Sequence, residues 1–200
     1  HTVTSSFLVA GSLVAGISAW LLVKGKALEV ARPTMKFGLI TTLVASVLVF
    51  ISGDMQARVM TSQQPMKMAA AEAQWETSDH ASFSLLTVGT LDGSRAVFQI
   101  RVPNALSLMS TGSSSGTVEG INDLQAQYAS TYGEGNYTPI VPVAYWSFRL
   151  MIGLGALASL FAVYALWATR GGRRPTARWF ARAALAMPLL PLIGISFGWI

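Results

Sequence analysis

The segment QPMKMAAAEAQW, residues 64–75, contains one lysine and one glutamate with small and apolar residues between them. Lys67 and Glu72 are five positions apart, so on a helix their side chains would differ by about 140° in azimuth and would not form an i,i+4 pair. A lysine can orient a substrate oxygen and a carboxylate can accept a proton, so the pair predicts a polar site for acid–base chemistry. The alternative is a solvated helix face that rests on a membrane surface.

His1 and Met151 form a second pair of chemically useful residues, because each lies near the outer end of an apolar block. An imidazole and a thioether can serve as the axial ligands of a low-spin haem. The alternative is that neither residue binds haem, since a histidine at a span end often only lies at the membrane interface and a methionine among apolar residues usually packs in the core. Arg149 precedes Met151 by two residues, and it either binds an acidic group such as a haem propionate or extends to the membrane interface.

The composition places these residues in a membrane protein. The chain is 52% hydrophobic and only 12% charged, and its apolar residues collect in long blocks, which is typical of chains that have a bilayer as solvent. It contains no cysteine, which excludes disulfides and cysteine-ligated metal sites. No Ser-His-Asp grouping, phosphate-binding glycine loop or metal-ligand cluster is visible in the sequence.

Four apolar blocks predict an all-α integral membrane fold with four transmembrane helices. The blocks are residues 1–23, 37–52, 145–169 and 179–200, the last of them truncated. The apolar stretch Val3 to Val23 would extend roughly 31 Å as a helix, enough to cross the hydrocarbon core. Gly11, Ala15 and Ala19 recur every four residues and predict the close approach of another helix, the alternative being small residues that face lipid. Pro188 and Pro191 predict a kink in the fourth span.

Lysine and arginine predict the orientation of the chain. The connections 24–36 and 170–178 are rich in these residues and should face the cytoplasm. In the long segment 53–144, acidic residues outnumber basic ones by eight to four, so this loop should be extracytoplasmic. The net charge of +5 is therefore a signal of topology, and the distribution argues against nucleic-acid binding.

The long outer loop has two different halves. Pro65 suits the first position of a short helix, and β-rich runs between residues 84 and 102 flank Asp92-Gly93, which predicts a small β-hairpin. From residue 110 to residue 139 the composition is Ser, Gly, Thr, Asn and Tyr with weak patterning, and GSSSG occupies residues 112–116. This second half is expected to be a mobile loop.

Several segments together resemble subunit I of the cytochrome bd-type quinol oxidases. They are, in chain order, HTVTSSFLVAGSLVAGISAW, the pair Gly53-Asp54, QPMKMAAAEAQWET, and FRLM at residues 148–151. The resemblance covers most of the chain and is weakest over residues 110–138. It implies a terminal oxidase that oxidises quinol at the outer face and passes electrons through a low-spin haem b to a haem b–haem d site. That site reduces dioxygen to water, and the enzyme builds a proton gradient without pumping.

The resemblance also implies roles for particular residues. His1 and Met151 match the axial ligands of the low-spin haem b, and Arg149 matches the arginine beside that haem. Lys67 and Glu72 match the lysine and glutamate of the quinol-binding outer loop, the Q loop, in which the glutamate accepts a proton. A further residue, Asp54, matches an acidic position at the start of that loop and is assigned to a proton pathway.

The family pattern extends beyond this sequence, so we expect the chain to be a piece of a longer polypeptide. It begins at His1 and stops inside an apolar run, where Gly198-Trp199 resembles the segment before a glutamate ligand of the high-spin haem b. Most ligands of the high-spin haem b and of haem d would lie outside the chain. The implied partners are ubiquinol or menaquinol, dioxygen, subunit II and small accessory subunits, in a bacterial plasma membrane.

Two other functional classes fit a four-span chain. A non-enzymatic scaffold or sensor with a ligand-binding outer loop would show no haem absorbance. A transporter subunit would carry a discontinuous helix near the bilayer midplane, and only the proline-containing fourth span offers one.

Overall fold

The computed structural model describes residues 1–200 and is mostly helical. Its elements are α1 Thr2–Lys24, α2 Leu28–Gln63, α3 Pro65–Glu72, β1 Phe83–Gly89, β2 Ala96–Val102, α4 Ala105–Thr111, α5 Ile121–Tyr132, α6 Val141–Thr169, a 3-10 turn Arg170–Gly172, α7 Arg178–Ala186 and α8 Leu189–Phe197. Four helical stretches are long and apolar enough to cross a membrane: Thr2–Lys24, Leu28–Gln63, Val141–Gly172 and Arg178–Phe197. The predicted fold class, with a short helix and an antiparallel hairpin between the second and third spans, is confirmed.

The chain divides into two compact units. The first comprises residues 1–52 and 149–199, and the second comprises residues 53–148 together with Ile200.

In the first unit, small residues let helices pack closely. A Cβ built on Gly38 of α2 would lie 2.6 Å from the Ala15 nitrogen of α1, and one built on Gly11 would lie 2.9 Å from the Thr42 nitrogen. Gly11, Ala15 and Ala19 are all buried, so the predicted close approach along this stripe is confirmed. Ala15 and Ala19 share this core with larger buried side chains, among them Leu22, Met35, Leu39 and Phe180.

The predicted kink in the fourth span occurs where α7 ends at Ala186 and α8 begins at Leu189. Pro188 has no N–H to donate to the preceding turn, and the ring constrains the chain at this point. Pro191 lies inside α8 without ending it. The two short helices together form the stretch that is long enough to cross a membrane.

In the second unit, β1 and β2 form an antiparallel hairpin in which Phe83 pairs with Val102. The turn contains the predicted Asp92-Gly93 pair: Gly93 has a φ of 73° and donates its N–H to the Thr90 carbonyl at 2.9 Å. Glycine adopts this left-handed conformation without the steric cost of a Cβ.

The expectation of a mobile loop after residue 110 was wrong over residues 121–132, which form α5. Ile121 and Leu124 are buried there, and Tyr128 packs against the same cluster. Because these residues are three and seven positions apart, they share one helix face, and that face packs on Met66 and Ala69. Tertiary packing thus stabilises a helix whose residues have weak intrinsic helix propensity.

Candidate functional site

The helix α3 carries the first pair of predicted site residues. Pro65 occupies its first turn, as expected, and the helix ends at Glu72, followed by Ala73 in the left-handed conformation. Lys67 is exposed, whereas Glu72 is only 1% exposed. The two side chains therefore have different environments, which agrees with their separation of about 140° around the helix axis.

Burial makes Glu72 the most unusual ionisable group of the chain. Its neighbours on α3, Met68 and Ala69 to Ala71, are also buried and carry no side-chain charge. Carboxylates are rarely this buried, and burial of an ionised carboxylate is costly unless other groups compensate it. A carboxylate this buried is therefore a candidate for a functional site.

The backbone that follows Glu72 is fixed by the N-terminus of α5. The carbonyl oxygens of Gln74 and Trp75 accept hydrogen bonds from the backbone N–H groups of Ile121 and Asn122, at 2.9 and 3.0 Å. The Asn122 side-chain amide also donates to Glu76 Oε1 at 2.7 Å. Helix α5, which sequence reasoning missed, therefore anchors the segment that carries the predicted site.

Two cavities lie beside α3. One, of about 320 Å³, is lined by Thr61, Pro65 and Met68 and by residues 117–119. The other, of about 260 Å³, is lined by Ala73, Trp75 and ten residues from the hairpin and the start of α6.

The walls of the second cavity are held by hydrogen bonds to two aromatic residues. Tyr145 Oη bonds to Ser84 Oγ at 2.8 Å and accepts the Thr87 N–H at 2.6 Å, and Trp75 Nε1 donates to the Gly93 carbonyl at 2.9 Å. Sequence reasoning did not single out either residue. Trp75 is part of the QPMKMAAAEAQW segment, and that position was the available signal.

His1 immediately precedes α1 and is exposed. Its Nδ1 lies 3.3 Å from Ser52 Oγ, and the Ser52 hydroxyl donates to the Leu48 carbonyl at 2.7 Å. A ligating imidazole is usually oriented by a hydrogen bond to its other ring nitrogen. With Nδ1 beside Ser52, Nε2 is the nitrogen that could bind a metal.

Met151 and Arg149 lie on α6 and are both half-buried. The Met151 sulfur lies above Gly198, since a Cβ built on that glycine would be 2.8 Å from Sδ. Arg149 and Met151 are two residues apart, so their side chains differ by about 200° around the helix axis. They therefore project from different sides of α6. His1, Met151 and Arg149 belong to the same compact unit.

Asp54 was expected at the start of the outer loop, but it lies inside α2, which continues to Gln63. Its carboxylate pairs with Arg58 Nε at 3.0 Å, one helical turn away. Both side chains are partly exposed, and such i,i+4 pairs contribute about 0.3–0.5 kcal/mol. The assignment of Asp54 to a proton pathway remains a prediction.

The chain is similar along its whole length to one protein family. The family described as cytochrome bd terminal oxidase subunit I matches residues 1–200. Among curated proteins, the chain is 35% identical over 201 residues to the cytochrome bd ubiquinol oxidase subunit 1 of Bacillus subtilis strain 168, covering 100% of the chain and 43% of that relative. It is 25% identical over 257 residues to the cytochrome bd-II ubiquinol oxidase subunit 1 of Escherichia coli strain K12, covering 100% of the chain and 50% of that relative.

A third relative is the putative cytochrome bd menaquinol oxidase subunit I of Bacillus subtilis strain 168, 25% identical over 207 residues, with 100% of the chain and 44% of the relative covered. Among solved structures, the bd oxidase from Geobacillus thermodenitrificans matches with a TM-score of 0.81 and 26% identity over 98% of the chain and 43% of that structure's chain. The chain thus spans about half the length of the curated relatives it matches.

Proposed function

This chain belongs to the cytochrome bd terminal oxidase subunit I family, and on that basis we propose that the protein containing it oxidises a membrane quinol and reduces dioxygen to water. The relatives are named for ubiquinol in two cases and for menaquinol in one. The proposed substrate class is therefore a lipid-soluble quinol. Together with subunit II and small accessory subunits, the complete protein would work in a bacterial plasma membrane.

The observation that carries the proposal is the burial of Glu72 at the end of α3, where it is 1% exposed. Oxidation of a quinol releases two protons with its two electrons, so a site for this reaction needs a base close to the quinol hydroxyl. We assign that role to Glu72, whose carboxylate oxygen accepts the proton. The exposed Lys67 orients a quinol oxygen through its ammonium group.

We assign His1 and Met151 as the residues that hold the low-spin haem b. The position of Ser52 Oγ 3.3 Å from His1 Nδ1 fits this role, because it leaves Nε2 for the iron. The half-buried Met151 supplies a thioether, and Arg149 would pair with a propionate. When bound, this haem supplies a one-electron acceptor for quinol oxidation. The high-spin haem b and haem d would be held mostly by parts of the subunit outside this chain.

The direction of proton release follows from the charge distribution. The basic segments 24–36 and 170–178 support an extracytoplasmic location for residues 53–144. A proton accepted by Glu72 is then released outside. We propose that this release, without pumping, is this chain's contribution to the proton gradient.

The test is Glu72→Gln in the full-length subunit within its membrane complex. Glutamine has a similar volume but cannot take up the proton, so quinol turnover per haem should fall about 10²–10⁴-fold while the haem spectrum stays unchanged. Glu134→Gln is the matched control, because Glu134 is an exposed acid of the same outer segment. Haem loss as the main defect of Glu72→Gln, or wild-type turnover, would refute the assignment.

A further inference from the structure

The guanidinium group of Arg101 on β2 contacts the turn that follows α3. Its Nη2 donates to Gln74 Oε1 at 2.6 Å, and its Nη1 lies 3.4 Å from the Ala73 carbonyl oxygen. Its Nη2 and Nε also donate to the Ser82 carbonyl, at 2.9 and 3.2 Å. One side chain thus connects the end of α3 to the start of the hairpin.

The turn that Arg101 contacts has an uncommon backbone conformation. Ala73 has φ 50° and ψ 48°, a left-handed conformation that non-glycine residues seldom adopt. The turn is closed by the N–H of Ala73, which bonds to the Ala70 carbonyl at 3.2 Å, and by the N–H of Gln74, which bonds to the Ala69 carbonyl at 2.9 Å. A conformation of this kind persists when neighbouring groups hold it in place.

Glu72 directly adjoins this turn, because it is the last residue of α3 and Ala73 follows it. The C-terminal end of a helix carries partial negative charge, which is unfavourable for a carboxylate. The Arg101 cation, bonded to groups of the next two residues, brings positive charge to this helix end. Arginine can do this while bonding several oxygens in one plane, whereas lysine has a single ammonium group.

We propose that Arg101 is a positioning residue for quinol oxidation, whose guanidinium fork holds the Ala73–Gln74 turn and thereby fixes the Glu72 carboxylate. This inference rests on the function proposed for Glu72. A small displacement of a reacting group lowers the rate strongly, by up to about 10²-fold for roughly 1 Å. The effect should appear in kcat, since Arg101 is assigned no contact with the quinol.

The experiment compares Arg101→Gln and Arg101→Lys in the full-length subunit within its membrane complex. Quinol turnover per haem should fall on the order of 10-fold or more in both variants, with KM for the quinol changed less than about twofold and the haem spectrum unchanged. Gln74→Ala should lower turnover less, and adding it to Arg101→Gln should cause little further loss, because the two residues act through one contact.

Arg95→Gln is the matched control, since Arg95 is an exposed arginine in the turn of the same hairpin; it should keep wild-type turnover. Loss of haem with normal turnover per remaining haem would mean that Arg101 only stabilises the fold, and would overturn the inference. Full turnover in Arg101→Lys would also overturn the inference, because a positive charge without the guanidinium fork would then be enough for activity. Wild-type turnover in Glu72→Gln would instead refute the proposed function, so the two failures are distinguishable.

Discussion

The packing of α1 against α2 predicts a measurable cost for adding a single methyl group at Gly38. A Cβ there would lie 2.6 Å from the Ala15 nitrogen and 2.8 Å from the Gly11 carbonyl oxygen. Both atoms are backbone, so no side chain can rotate away. To reach an ordinary separation of about 3.5 Å, the two helices must move apart by roughly 1 Å. Overpacking of this kind costs about 1–3 kcal/mol.

Gly155→Ala provides the matched control for Gly38→Ala. Gly155 is also inside a long helix, α6, but nothing lies within 4 Å of its built Cβ. Both substitutions gain about 1 kcal/mol of intrinsic helix propensity. The difference between them therefore isolates the packing cost, and Gly38→Ala should be the less stable by about 1–3 kcal/mol.

The assay is the fraction of low-spin b-type absorbance that survives heating of membranes containing the complete complex. Helix α1 begins directly after His1, so separation of α1 from α2 should also disturb the proposed haem ligand. The midpoint for Gly38→Ala should lie below that for Gly155→Ala, by at most about 2–4 °C per kcal/mol, the value for domains of about 150–250 residues. All variants are heated at one rate, since such unfolding is often irreversible. Equal midpoints, or a higher one for Gly38→Ala, would contradict the packing argument.

Two further predictions concern the proposed haem ligands and the hairpin turn. His1→Ala and Met151→Leu should each abolish the low-spin b-type signal in a reduced-minus-oxidised spectrum of the complex, and persistence of the signal in either variant would refute that ligand. In the turn, hydrogen bonds from the Thr90 side chain and from the backbone and side chain of Ser94 lower the pKa of Asp92. A carboxyl with a lowered pKa stabilises the turn above its unfolded-state pKa and loses that effect as the pH falls through its folded-state pKa. Hydrogen-exchange protection of the Ser94 amide, corrected for intrinsic rates, should therefore decrease on acidification, and Asp92→Asn should remove this pH dependence.

The sequence predicts the spans and the hairpin well, because their signals are local. A continuous apolar block of sufficient length has few alternatives to a membrane helix, and Asp92-Gly93 between β-rich runs favours a turn. The end of α2 is different. Gly53-Asp54 was interpreted as the end of the second span, but a single glycine only weakens a helix, and α2 continues to Gln63. The length of an apolar stretch predicts the membrane-crossing part of a helix but not the length of the whole helix.

The sequence alone could not predict which residue of the candidate site is buried. The spacing of Lys67 and Glu72 fixes the angle between them, but only packing decides which one faces the interior. Helix α5 contributes to that packing, and its own sequence gives little sign of a helix, because Ile121 and Leu124 are few apolar residues among many polar ones. The anchoring of residues 74 and 75 depends on contacts between segments more than forty residues apart in sequence, and a single sequence carries no pattern for such contacts.

The spacing itself has a chemical consequence for the proposed reaction. If the carboxylate were four residues from Lys67, the two groups would lie on the same face and would form an ion pair, which would occupy both of them. At five residues, the ammonium group is exposed and the carboxylate is buried. One helix of eight residues can then present a cation to an arriving quinol and a proton acceptor on its inner side. Lys67 lies about 140° away from Glu72 around the helix axis, whereas the Arg101 side chain contacts this helix end from β2.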